Sequence, residues 1–208
     1  MNLEGNMRAM ILGLAMTTAL IGAAHAQALA VESGTYAVDP THASLTWRVS
    51  HLGFSNYTAR FTKFTATINL NAQDPTQSAI DVTIDPNSVR TDFPDPQRVD
   101  FDKEIGAGER FLNGAAFPEI TFKSTRLERT SATTGLAYGN LTLRGVTKPV
   151  ALAVTLNAAK PHPFNQRPTI GVSAVGMIKR SEFGMTALVP NIGDDVMLVI
   201  EAEFQRQG

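Results

Sequence analysis

The feature that most constrains the fold of this chain is an apolar side chain at every second position, repeated in many short runs. In the stretch GNLTLRGVTKPVALAV, residues 139–154, the leucines and valines on both sides of an Arg-Gly turn follow this period of two. Successive side chains of a β-strand point to opposite faces. The stretch therefore predicts a β-hairpin with one apolar face.

The same period recurs near residues 45–51, 61–70, 80–84, 120–123, 170–178 and 196–204, with a break of phase near Lys63 that predicts a bulge. Turn residues separate the runs, which is typical of an all-β sandwich or an antiparallel barrel. A single curved sheet with every apolar face inward is a closed barrel, here of about eight strands. One helical segment is predicted, between residues 100 and 113 of a long connection, where two glycines keep it short.

The inward positions raise the question of what fills the barrel. An eight-stranded barrel is just wide enough to be filled by side chains or to hold one small ligand. Many inward residues are small or medium, which leaves room, whereas the aromatic residues among them could fill it. The candidates for lining a tunnel are Leu45, Trp47, Val49, His51, Phe61, Phe64, Val82, Phe122, Leu141, Leu143, Val154, Val172, Phe183 and Leu198.

The first 26 residues have the pattern of a secretory signal peptide. Arg8 precedes an uncharged apolar run, and the small-residue site Ala24-His25-Ala26 follows it. The run is shorter than the ~20 residues that a spanning helix needs. We expect export, a soluble mature protein that begins near Gln27, one domain over residues 27–208 and no stable membrane span. Initiation at Met1 or at Met7 remains open.

The amino-acid composition excludes several classes of function. The chain of 208 residues has a net charge of −1, which argues against a nucleic-acid partner because such binding needs a basic surface. It has no cysteine, so disulfides, thiolate nucleophiles and Cys-ligated metals are excluded. The scattered histidines show no metal-ligand spacing. The serines near His42 and His51 lack a G-x-S-x-G elbow. We therefore expect no catalytic residues, no metal and no cofactor.

Four motifs resemble the YceI-like family, in the order that the family has them. They are YAVDPTHASLTWRVSHLGFSNYTARF at residues 36–61, FPEITFKST at 117–125, the hairpin GNLTLRGVTKPV, and IKRSEFGM at 178–185, followed by a last-strand segment NIGDDVMLVIEAEF. The resemblance covers residues 36–204. It implies an extended antiparallel lipocalin-like β-barrel, an apolar tunnel for a long isoprenoid chain such as a polyisoprenoid or an isoprenoid quinone, and a periplasmic location. The family often has a His-Leu pair before its short helix, and DKEIGAGERFLNG has no histidine there.

Polar residues near the predicted tunnel have two interpretations each. His51 is in phase with the inward residues and could contact a head group, or it could bond to backbone at the strand end. Arg144, Lys148 and Arg180, with Lys179, could form a basic rim that attracts an anionic head group, or they could be solvated turn charges. The rival function is a secreted barrel with a packed core that docks a protein, and a homodimer is left open.

Overall fold

The structure is a computed structural model that describes residues 28–208. The predicted signal peptide lies outside the described residues. Ten strands and one α-helix follow in the order β1 (Gly34–His51), β2 (Ser55–Phe61), β3 (Phe64–Leu70), β4 (Ala79–Ile84), β5 (Val89–Arg90), α1 (Phe101–Ala107), β6 (Ile120–Arg129), β7 (Thr134–Leu143), β8 (Val146–Pro161), β9 (Pro168–Lys179) and β10 (Ile192–Arg206). Within this part of the chain, no helix is both long enough and apolar enough to cross a membrane.

Eight of the strands form a closed antiparallel barrel. The order is β1-β3-β4-β6-β7-β8-β9-β10, and the ladder between β10 and β1 closes it. Closure pairs the strand edges that would otherwise be exposed. The predicted barrel of about eight strands is confirmed. The strands β2 and β5 extend the sheet beside the second half of β1.

Two local features predicted from the sequence differ in the structure, the length of the helix and the bulge near Lys63. The helix α1 occupies only residues 101–107 of the predicted segment. The Asp100 side chain caps its first turn by accepting from the Lys103 amide, and the chain leaves the helix at Gly108. The bulge predicted near Lys63 is wrong: β2 ends at Phe61 and β3 begins at Phe64, so the break of phase marks a junction between two strands and not a bulge within one.

Strand β1 changes partners along its length. Its first residues pair with β3, whereas residues 45–51 pair with β2. Between these ladders, residues 39–42 lie opposite the single residue Glu203 of β10, which makes a large irregular bulge. The Asp39 carboxylate stabilises the bulge by accepting from the amide and the hydroxyl of Thr41.

The barrel has two different ends. At the capped end lie the β7–β8 turn, the β9–β10 connection and the long connection that contains α1. Leu112, Phe183 and Met185 are buried here in a cluster with inward residues of β2, β4, β6, β7 and β9. At the open end lie the β3–β4 and β6–β7 connections, and a second buried cluster gathers around Tyr36, Ile68 and Phe204. Ile80 and Val82 pack against both clusters, so the apolar interior is continuous.

Candidate functional site

The inward face of β8 shows that the interior is not filled. Its inward residues alternate with exposed ones along the whole strand, yet each of them is only partly buried. In a closed sheet with a packed core, inward apolar side chains would be fully buried, because protein interiors are close-packed. Residues with this property on β8 are Val150, Leu152, Val154 and Leu156, and those on β10 are Val196, Leu198 and Ile200.

A cavity lies inside the barrel at the open end. Its volume is about 160 Å³. Engineered apolar cavities of ~150 Å³ hold one benzene molecule, so this one has room for roughly one isoprene unit. Leu29 and the β6–β7 connection form part of its wall. Its apolar inward lining includes Ile68, Leu70, Ile80, Val154, Leu156, Ile170 and Val172.

The capped end closes the interior on the other side. Phe183 is only 1% exposed and lies in the 3₁₀ turn that follows β9. Gly106 of α1 approaches the backbone of the preceding 3₁₀ turn so closely that a Cβ would be 2.9 Å from the Pro86 carbonyl oxygen. These contacts fix the long connection across the barrel, and the interior is therefore a blind pocket.

A side cleft of about 560 Å³ opens in the barrel wall where β1 changes partners. It lies between residues 40–44 of β1 and residues 60–65 at the β2–β3 junction, where no ladder joins the two segments. Phe61 and Phe64 line the cleft and also belong to the capped-end cluster or pack against it. Arg60 lines it as well, and its guanidinium lies 3.6 Å from the exposed Asp92 carboxylate.

The structure places thirteen of the fourteen tunnel candidates in the apolar interior or its wall. Those that are buried are Leu45, Val49, Phe61, Phe122, Leu141, Leu143 and Phe183. Those that pack partly buried against the clusters are Trp47, Phe64, Val82, Val172 and Leu198. Val154 and Val172 line the cavity itself.

The inward placement predicted for His51 is wrong. His51 is exposed, because β1 ends at this residue, two positions beyond Val49, its last buried residue, and the hairpin loop to β2 follows. Its carbonyl accepts from the Phe54 amide, which closes that loop.

The candidates for a basic rim lie together at the capped end of the barrel and not around the cavity, and two of them, Arg144 and Arg180, bond to backbone carbonyls. Arg144 donates to the carbonyl oxygens of Glu109 and Phe111 and so ties the β7–β8 turn to the long connection. Arg180 is buried and donates to the carbonyls of Met185, Ile192 and Gly193. Burial lowers its pKa from the usual value, and the Asp194 carboxylate acts in the opposite direction.

Lys148 is on the inward side of β8, opposite Leu141, and is partly buried. It is the one rim candidate whose side chain makes no hydrogen bond or ion pair within residues 28–208. Its neighbours on the same face, Val146 and Val150, pack against the capped-end cluster.

Sequence analysis missed Tyr57. It lies on β2 opposite Val49, on the inward face, and packs against the capped-end cluster. The period of two in Tyr57, Ala59 and Phe61 carried the signal, but the run recognised from the sequence began only at residue 61, the last residue of β2. Among the described residues, no group of three or more His, Asp and Glu side chains could hold a metal ion.

Fold and cavity define a class of protein: an eight-stranded antiparallel β-barrel with an apolar interior, capped at one end and open to a small cavity at the other. The chain belongs to the YceI-like family, because the YceI-like domain model matches residues 36–204. The proteins named Protein YceI from Salmonella arizonae and Salmonella paratyphi B are each 34% identical over 166 residues, which is 80% of this chain and 83% of each relative.

Solved structures agree in fold. The Campylobacter jejuni YceI protein is 27% identical, with a TM-score of 0.66, over 76% of this chain and 90% of that one. Burkholderia cenocepacia BcnA is 19% identical, with a TM-score of 0.69, over 80% of this chain and 98% of that one. A polyisoprenoid binding domain from Saccharophagus degradans is 15% identical, with a TM-score of 0.59, over 85% of this chain and all of that one.

Proposed function

We propose that this protein binds a lipid with a long isoprenoid chain, a polyisoprenoid or an isoprenoid quinone, inside its barrel. The observation that carries the proposal is the row of partly buried apolar side chains on the inward face of β8, which leads to a blind apolar cavity. Membership of the YceI-like family and the likeness to a polyisoprenoid binding domain support it. They also favour a binding protein over an enzyme.

The energetics suit such a ligand. Each methylene moved from water into an apolar interior contributes ~0.8 kcal/mol, so a chain of several isoprene units binds with few polar contacts. Ordering the chain offsets part of this gain. The cavity of about 160 Å³ takes roughly one unit, so a longer chain requires the partly buried residues of β8 and β10 to move apart.

Organic extraction of the purified protein, followed by mass spectrometry, tests the proposal. We expect close to one isoprenoid lipid per chain, either as purified or after delipidated protein is incubated with an isoprenoid quinone. Absence of bound lipid in both preparations would contradict the proposal. The matched control is Val172→Trp, which replaces a residue of the cavity wall with a larger apolar side chain that fills the cavity.

Export to the periplasm is part of the proposed function, and it depends on residues 1–26. N-terminal sequencing of the periplasmic fraction should give a first residue at or near Gln27. An intact Met1 or Met7 in the membrane fraction would contradict it. The proposed role of the exported protein is carriage, storage or sensing of the lipid.

A second candidate function is docking to a protein, including a second copy of this chain. Three apolar side chains on the outer face of β9 and β10 favour it, since they are well exposed: Val175 (47%), Met177 (52%) and Met197 (39%). Met177 and Met197 are directly opposite each other in the ladder. Light scattering should show a dimer that Met177→Lys dissociates, and a monomeric wild-type protein would contradict a homodimer.

A further inference from the structure

Two hydrogen-bond donors inside the barrel have no partner. Trp47 Nε1 and Tyr57 Oη are buried from solvent and contact no acceptor among the described residues. The third such atom is Arg206 Nε, whose guanidinium still forms an ion pair with Glu32 at 2.8 Å. The two aromatic donors therefore stand apart, because each is the single polar group of its side chain.

The β1–β2 ladder places these two side chains together. Trp47 is opposite Ala59, and Tyr57 is opposite Val49, so Trp47 and Tyr57 are diagonal neighbours on the inward face. Diagonal neighbours in an antiparallel pair are within reach of one another when the side chains are aromatic. Both rings pack partly buried against the capped-end cluster. One ligand atom between them could accept from both donors.

An unpartnered buried donor destabilises a protein, because its hydrogen bond to water is lost and not replaced. Such atoms are rare in folded proteins and call for a specific explanation. Phenylalanine at either position would keep the apolar packing without this penalty. A ligand that supplies an acceptor removes the penalty at both positions at once.

We propose that Trp47 and Tyr57 bind the polar head group of the ligand, and that this head group is neutral and presents a carbonyl or hydroxyl oxygen. This inference depends on the proposed function, because it takes the ligand to be an isoprenoid lipid in the barrel. The donors are themselves neutral, and an anionic head group among apolar residues would lose its hydration without a paired charge. Both rings are only partly buried, so they can move to admit the head group.

The position of the donors sets the direction of the ligand. Trp47 is opposite Leu198 on β10, whose partly buried inward residues continue along the interior. Ile80 and Val82 connect the capped-end cluster to the cavity at the open end. The head group therefore lies towards the capped end, and the isoprenoid tail runs past these residues to the open end.

The variants Trp47→Phe and Tyr57→Phe test the head-group site, because each removes one donor and keeps an aromatic ring. Three probes are titrated into the delipidated protein: ubiquinone-2, which has carbonyl oxygens, squalene, which has no polar atom, and geranylgeranyl pyrophosphate, which is anionic. We expect each variant to weaken ubiquinone-2 binding about three- to tenfold, the effect of one neutral hydrogen bond. Squalene binding should not change.

A stability measurement without ligand gives an independent readout. Tyr57→Phe should leave the Tm unchanged or raise it by a few degrees, because it removes an unpartnered buried hydroxyl. The matched control is Tyr36→Phe, since the Tyr36 hydroxyl is part-buried and donates to the Glu32 carbonyl at 2.6 Å. That variant should lower the Tm. A clear decrease of the Tm for Tyr57→Phe would show that its hydroxyl already has a partner and would overturn the inference.

The remaining outcomes separate this inference from the proposed function. If squalene and ubiquinone-2 bind and neither variant weakens the quinone, the head group lies elsewhere and only this inference fails. If geranylgeranyl pyrophosphate binds most tightly and Lys148→Met abolishes that preference, the head group is anionic and the inference is overturned. If no probe binds, the proposed function fails and this inference fails with it.

Discussion

At the scale of single residues, Arg180 shows how a charge can be structural at a site where a ligand might be expected. It is the one charged residue that is buried within residues 28–208, with 5% of its surface exposed. Its donors go to three backbone carbonyls, one in the β9–β10 connection and two in the first residues of β10, and these carbonyls would be unsatisfied without a donor. The planar guanidinium can reach all three because its donors point in different directions.

We predict that Arg180→Met lowers the free energy of unfolding by about 3 kcal/mol, because it removes charge-assisted hydrogen bonds and leaves buried carbonyls without donors. The matched control is Lys179→Met. Lys179 forms an exposed ion pair with Asp195 at 2.7 Å, and such pairs contribute little to stability because water and salt screen them. Urea denaturation of both variants measures the difference. Equal losses would show that Arg180 has no special structural role.

The β1 bulge gives a pH-dependent prediction. Hydrogen bonding to Asp39 raises the pKa of His42, and hydrogen bonds from Thr41 and His42 lower the pKa of Asp39 to about 2. Because the His42 pKa is higher in the folded than in the unfolded protein, protonated His42 stabilises the fold. This stabilisation is complete below about pH 6.5 and is lost as the pH rises through the pKa of His42 in the folded protein. Because the Asp39 pKa is lower in the folded protein, ionised Asp39 stabilises the fold above about pH 4. This stabilisation is lost as the pH falls towards the folded-state pKa of about 2.

An NMR titration should therefore give His42 a pKa above 6.5. In Asp39→Asn the carboxylate is gone, and the His42 pKa should return towards 6.5. An unchanged value in the variant would show that another group sets it.

At the scale of elements, the β7–β8 hairpin combines a tight turn with close strand contact. Arg144 and Gly145 both have positive φ, which is typical of the two-residue type I′ turn. On β7, a Cβ at Gly139 would be 2.4 Å from the Phe122 ring and 2.6 Å from the Lys123 carbonyl oxygen, so only glycine fits there. The hairpin therefore brings Phe122 close to the β7 backbone.

Filling the cavity from β9 distinguishes an open interior from a packed one. We predict that Val172→Trp reduces bound lipid per chain by more than half and costs less than about 1 kcal/mol of stability, because Val172 lines the cavity. The matched variant Ile178→Trp, on the same strand and also inward, lies in the buried capped-end cluster. It should cost about 1–3 kcal/mol, as overpacking does. Similar losses of stability for both variants, with no change in lipid, would indicate a packed core.

At the scale of the whole molecule, the two ends of the barrel differ in how tightly they are held. The capped end is packed by the long connection, the 3₁₀ turn after β9 and a buried cluster of inward residues. The open end has a cavity, and its wall includes Leu29 and the β6–β7 connection. A ligand that enters through the open end must first separate the partly buried inward residues of β8 and β10.

Hydrogen exchange should reveal this asymmetry. Without lipid, residues 68–80 and 127–137 at the open end should exchange faster than residues 105–120 at the capped end, because fewer buried contacts oppose their local opening. Binding of an isoprenoid lipid should slow exchange at the open end and raise the Tm as its concentration increases. Protection confined to the capped end would contradict entry through the open end.

The sequence alone determined the strands, the faces and the family. Side chains alternate across a strand with a fixed period of two, so local pattern predicted the barrel and the inward placement of residues such as Val49, Phe122 and Leu143. It also predicted the β7–β8 hairpin, because a turn of this type depends on a few adjacent residues. The four motifs led to the YceI-like family, and the family model confirmed it.

Only the tertiary structure decided which end of the barrel is capped and what each polar residue does there. Arg180 could not be recognised as buried, because its burial depends on how the β9–β10 connection folds back over the barrel. Trp47 and Tyr57 become neighbours through the β1–β2 register, and the side cleft exists because β1 exchanges partners at its bulge. The alternation of side chains decides which residues of a strand face the interior. The packing of connections across the barrel ends depends instead on contacts between residues that are distant in sequence.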